Sequence, residues 1–186
     1  MRPILPLALL ATLTLSPALF AGEHSGVTLP DTTQVGGQTL VLNGMGLREK
    51  FFVDVYVAGL YLPQKSKDAN AILAADAARK TVLHFVHEVG KDKMCEAWDE
   101  SLAANTPGAS SALKAEFVKL CAAMADLAVG DKLEFVYEPG KGTDVIVKGQ
   151  TKATFTGKEF ADALWASWIG PKPGPGEAFK TALLGG

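Results

Sequence analysis

Two periodicities divide this 186-residue chain, one of strands and one of helices. The strongest strand stretch is Phe51 to Leu62 (FFVDVYVAGLYL), stopped by Pro63. It is apolar at both parities, which predicts a strand covered on both faces rather than a solvated edge. A short run, Thr39 to Asn43, precedes it, and Arg79 to Glu88 returns to strand character after a small helix at Ala69 to Ala75 with Asp68 as N-cap. Helical spacing then takes over. Met94, Trp98 and Leu102 fall at i, i+4 and i+8 within Asp92 to Ala104, and Leu113, Phe117, Leu120 and Met124 form a stripe within Ser110 to Leu127. Three strands follow, Lys132–Glu138, Thr143–Lys148 and Thr151–Phe155, separated by Pro139-Gly-Lys-Gly142 and Gly149-Gln150. Thr156-Gly-Lys-Glu159 reads as a capping box that opens a helix running to Ile169–Gly170. The Pro/Gly-rich stretch Pro171–Gly176 leads to a terminal helix, Glu177 to Leu184, and Gly22 to Gln38 reads as a polar lead.

Segregated strands, hairpins and helices without regular βαβ alternation predict one α+β domain, an antiparallel sheet covered by a helical layer, over residues 22–186. Residues 1–21 are read separately. Arg2, an almost wholly apolar Ile4–Leu15, a break at Ser16-Pro17 and small residues at Ala18 and Ala21 make a secretory signal peptide, cleaved after Ala21 or after Ala18. The run is short of the ~20 residues that span a bilayer and is interrupted by prolines, so a stable membrane anchor is not expected. Export places the protein in the periplasm or otherwise outside the cell. The overall 48% hydrophobic content is raised by this segment, of which 14 residues are apolar.

Composition narrows the chemistry. A formal net charge of −2 argues against a nucleic-acid surface. The two cysteines, Cys95 and Cys121, cannot build a structural zinc site. They fall on consecutive helices, where two readings stand: a disulfide formed in an oxidising compartment, or two small buried thiols. His84 and His87 are three apart on a strand and point to opposite faces, and His24 lies in the polar lead, so no metal site is read. Gly44-Met-Gly46 is a lone GxG in a strand-turn setting, and Asp99/Glu100 belong to a helical charge run. No cofactor motif occurs.

One residue stands out. Arg48 follows the Gly-rich Asn43-Gly-Met-Gly46 and leads into the most apolar strand. Facing inward, its guanidinium requires an anionic or carbonyl partner, and its planar fork suits a carboxylate. Facing outward, it snorkels into water.

The stretch NGMGLREKFFVDVYVAGLYLP (Asn43–Pro63), the LHF of Leu83–Phe85, the meander and SWIG at Ser167–Gly170 together resemble the chalcone isomerase-like family. That resemblance implies an open-faced β-sandwich, a sheet against helices with a ligand cleft between them, in a family holding plant cyclases, fatty-acid binders and exported bacterial members. It turns Arg48 inward. In the enzymes the matching Arg polarises the reacting carbonyl. In the binders it holds a carboxylate with help from a Tyr on the next strand, here Tyr56, where the enzymes carry Thr. A C-terminal substrate-contacting Thr/Ser of the enzymes falls on Ser167, while their helix-borne Tyr and Asn have no secure match, Asn105 being nearby. Arg48 and Tyr56 are eight residues apart, about 27 Å along one straight strand, so sharing a ligand requires a turn between them, for which Glu49-Lys50 is the polar place. The expected function is an exported, non-catalytic binder of a fatty acid or similar amphipathic carboxylate, with Arg48, Tyr56 and Ser167 as ligand-binding residues and no cofactor. The alternatives are cyclisation of a chalcone-like phenol by Arg48, or an envelope interaction protein in which Arg48 is paired internally with Asp54 or Glu49.

Overall fold

The computed structural model describes residues 20–186. All of the expected signal peptide except its last two residues lies outside this range. The elements in chain order are β1 (Phe20–His24), β2 (Val27–Pro30), β3 (Thr32–Val35), β4 (Gln38–Lys50), β5 (Val53–Leu62), α1 (Ala69–Ala74), β6 (Arg79–Phe85), α2 (Lys91–Asn105), α3 (Ser111–Ala123), β7 (Lys132–Glu138), β8 (Gly142–Val147), β9 (Gln150–Phe155), α4 (Lys158–Ile169) and α5 (Glu177–Leu183). Strands β3 to β9 form one seven-stranded sheet in sequence order, each neighbour antiparallel. This is the expected α+β architecture. No helix among the described residues is long and apolar enough to cross a membrane.

Strand alternation sorts the two faces. On β5, Tyr56, Ala58, Leu60 and Leu62 enter the main core under the helices, with Phe85, Leu133, Phe135 and Val145 from neighbouring strands. Val57 and Tyr61 point the other way, into a second cluster with Leu40, Leu42 and Val82. Helix α4 fills the centre of the main core: Phe160, Leu164, Trp165, Trp168 and Ile169 are all at most 2% exposed.

Four expectations change. The polar lead is structured: β1 and β2 make a hairpin whose Val27 and Leu29 bury into the second cluster while Thr28 and Pro30 face water. Its period-two signal is only four residues long, with Thr28 and Pro30 at the alternate positions. Helix α3 stops at Ala123, because the chain turns out for Leu127 to pair with Val89 across a β-bridge. The capping box does not form. Gly157, at φ 86°, is the N-cap of α4 and makes no side-chain cap, so the left-handed backbone that only glycine takes cheaply displaces Thr156 from that role. Finally, Gly44-Met-Gly46 lies inside β4 rather than at a turn. A Cβ on Gly44 would stand 2.2 Å from the Ala182 carbonyl oxygen, and one on Gly46 3.0 Å from the Phe179 ring, so the glycines admit α5 against the strand. Asn43 completes that dock by donating from Nδ2 to the Leu183 carbonyl (2.8 Å) and accepting from the Ser66 amide (2.7 Å).

Candidate functional site

The β4–β5 hairpin sets the site. Its turn is Phe51-Phe52, not Glu49-Lys50: Lys50 pairs with Val53, and both phenylalanines have positive φ. The two polar residues stay in the ladder, Glu49 opposite Asp54. The chain thereby reverses, and Arg48 lies directly across from Tyr56. Directly opposed residues in an antiparallel pair share a face, with Cα atoms about 5 Å apart, so the separation along one straight strand never arises.

Arg48 and Tyr56 line a cleft of about 750 Å³ between the sheet and the helices. Its apolar wall comes from Val55, Val89, Met94, Ala97, Trp98 and Trp168, and Ser101 and Ser167 contribute hydroxyls. All three residues read from the sequence as ligand-binding therefore border one space. Volume and lining fit a small-molecule cleft, which is largely apolar with a few convergent polar groups.

The polar groups are in a state to donate. Tyr56 is wedged between Phe85 and Phe179, with ring centroids 5.5 and 6.0 Å away. Its hydroxyl oxygen accepts from Trp168 Nε1 at 3.2 Å, which leaves its own proton for a further acceptor. Burial raises the phenol above its ordinary pKa, against opposing pulls from Arg48 and the Trp168 hydrogen bond, so the group is a neutral donor. Ser167 Oγ and Trp98 Nε1 are buried without a hydrogen-bond partner among the described residues. Orphaned polar atoms beside a cleft are groups that a ligand can satisfy.

Arg48 is half-buried and makes no ion pair among the described residues. Glu49 and Asp54, the internal partners that an interaction-only scaffold calls for, face each other across the hairpin at the next position along β4. A second inward arginine shows what a structural role looks like. Arg79, 1% exposed, lies between the rings of Tyr137 and Trp165, bonds Asp162 at 2.5 Å and donates to the Ile72 carbonyl at 3.1 Å. Its charge is matched within the fold, and among the described residues that of Arg48 is not.

Other candidates fall elsewhere. Asn105 does not reach into the cleft: it donates to the Ser101 and Lys172 carbonyls and accepts from the Lys172 amide, pinning the loop after α4 to the end of α2. His87 borders the cleft, while His84 stays on β6 with its pKa lowered by burial and by Lys132. Cys95 and Cys121 approach with sulfurs 1.93 Å apart and Cα atoms 5.1 Å apart, the geometry of a disulfide tying α2 to α3. The cleft also uses residues whose role the sequence does not announce: Trp98 belongs to a helical core stripe, Trp168 enters only within the SWIG motif, and Ser101 carries no signal of its own.

A curled antiparallel sheet with helices on one face and a single-Arg cleft between them defines an open-faced α+β sandwich. The chain belongs to the chalcone isomerase-like family, whose model matches residues 21–185. No curated protein matches it significantly in sequence. Among solved structures it is similar to a fatty-acid binding protein of Arabidopsis thaliana, at a TM-score of 0.68 and 16% identity, covering 87% of this chain and 93% of that one. At that identity the likeness concerns the fold.

Proposed function

We propose that this chain is an exported, non-catalytic binder of a fatty acid or a similar amphipathic carboxylate. The observation that carries the reading is Arg48: a half-buried guanidinium with no ion pair among the described residues, bordering a cleft with an apolar wall and directly across the hairpin from a neutral phenol with a proton to give. The carboxylate would lie on the Arg48 fork and accept from Tyr56, with Ser167 in the same cleft. The tail would run along Val89, Met94 and Trp98, where each buried CH₂ contributes roughly 0.8 kcal/mol. The Arabidopsis neighbour, by its description a fatty-acid binding protein, supports the ligand class. The amino-terminal apolar segment supports export to the periplasm or beyond.

Protein purified from cells without detergent is expected to carry fatty acid, seen as bound mass by native mass spectrometry. Arg48→Ala is expected to emerge without it. Equal lipid content in the two proteins would refute the head-group role.

A further inference from the structure

The β4–β5 turn is built from residues that suit it badly. Phe51 and Phe52 hold φ of 51° and 66°, the two-residue hairpin geometry that Asn-Gly fills without strain and that a bulky side chain resists twice over. Neither ring is buried by the fold: Phe51 is 86% exposed, Phe52 103%, and the adjoining Val53 40%. The other large exposed apolar residues described, Val118 and Val129, stand singly. A contiguous apolar tip held in a strained turn marks a contact surface.

Its position says with what. Phe51 and Val53 also border the cleft, beside Arg48 and Lys50. Around the same cleft Arg48, Lys50, Lys93 and Lys172 outnumber Glu88 and Glu100, in a chain of net charge −2. Lys50 Nζ lies 5.9 Å from the Phe51 ring centroid, so an ammonium sits beside the aromatic that would enter the acyl boundary. A self-associating interface is the weaker fit. Three side chains on a narrow turn fall far short of the ~1,200 Å² that a stable protein interface buries, whereas interfacial insertion needs only such a tip and nearby positive charge.

We propose that Phe51-Phe52 is a lipid-docking finger, which enters the interface of an anionic bilayer and sets the cleft against the membrane. The tip acts with or without cargo, so the test uses delipidated protein and is independent of fatty-acid binding. The protein is sedimented with phosphatidylethanolamine/phosphatidylglycerol vesicles and, separately, with phosphatidylcholine vesicles. Wild type is expected to partition onto the anionic vesicles, and Phe51→Asn/Phe52→Gly to lose that partition by at least about a hundredfold, the worth of two buried rings. The same variant is expected to melt higher, since its turn is relaxed, which separates lost docking from lost folding. Lys50→Glu is expected to reduce the preference for anionic over zwitterionic vesicles. Equal partition of wild type and the double variant, no partition of wild type, or a tip-dependent dimer that ignores vesicles would each overturn the proposal.

Discussion

Arg48→Met isolates what the guanidinium does in the cleft. Methionine keeps an apolar stem of comparable length along the sheet and removes only the charge and its donors. Arg48 has no partner of its own among the described residues, so its removal strands no other buried charge, and the variant is expected to fold as wild type does. A hydrogen bond to a charged group contributes about 1.5–3 kcal/mol net, which corresponds to roughly 10- to 150-fold in Kd for a long-chain fatty acid. The fatty alcohol of equal chain length carries no carboxylate and should shift by about twofold or less. Tyr56→Phe removes one donor to the same charged carboxylate, again about 1.5–3 kcal/mol, or roughly 10- to 150-fold. Because Arg48 and Tyr56 are cross-strand partners on one face, their effects on the acid should be non-additive in the double variant. The measurement is displacement of a fluorescent fatty acid by acid and by alcohol. If acid and alcohol weaken together, Arg48 only shapes the cleft, and if neither weakens, the head group lies elsewhere. Either result refutes the reasoning.

Gly44→Ala drives a methyl group into the Ala182 and Leu183 carbonyls, at 2.2 and 2.7 Å, and should cost about 1–3 kcal/mol in denaturant unfolding; Gly108→Ala, with nothing within 4 Å of the added Cβ, should be near neutral. The Cys95–Cys121 pair is expected to be bridged in exported protein, and its reduction should destabilise by about 3.5 kcal/mol for a 26-residue separation, read as a lower melting midpoint with dithiothreitol. Burial and the hydrogen bond to Asp76 push Tyr137 up from 10.0 to about 12, and burial raises Tyr56 and Tyr61 as well. The unfolded chain therefore releases these protons first, so stability is fully present below pH 10 and falls as pH rises toward about 12. Tyr137→Phe should flatten that fall in a melting series.

The α+β order was legible because long periodic segments announce themselves: the Met94/Trp98/Leu102 stripe and the punctuated β7–β9 meander lie where their patterns put them, and β5 does so from Val53 onward, its first two expected residues, Phe51 and Phe52, forming an exposed turn instead of a covered strand. What escaped was decided by partners distant in sequence. Val27 and Leu29 are hydrophobic only as a pair of alternating positions, and they become core because β5 presents Val57 and Tyr61 on its second face. The turn escaped for the opposite reason. Polarity favoured Glu49-Lys50, but register placed the reversal two residues later, on two aromatic residues that local turn chemistry would reject. Arg48 was legible as a charge out of place, yet its meaning depended on whether the fold supplied a counter-ion, which spacing cannot show.

The segment from Asn43 to Phe52 divides into structural and chemical parts that depend on each other. Asn43, Gly44 and Gly46 contact no part of the cleft, but they admit α5. Helix α5 in turn brings Phe179 edge-on to Tyr56 and ties Lys180 Nζ to the Gly170 carbonyl, at the end of the helix carrying Ser167 and Trp168. Trp168 fixes the Tyr56 hydroxyl. The glycines therefore orient the phenol through a helix that they never share a covalent turn with, and Arg48 stands two residues beyond Gly46 on the same strand, across from the phenol. A substitution at Gly44 that leaves the protein folded should accordingly loosen acid binding more than alcohol binding, because it moves the donor rather than the apolar wall.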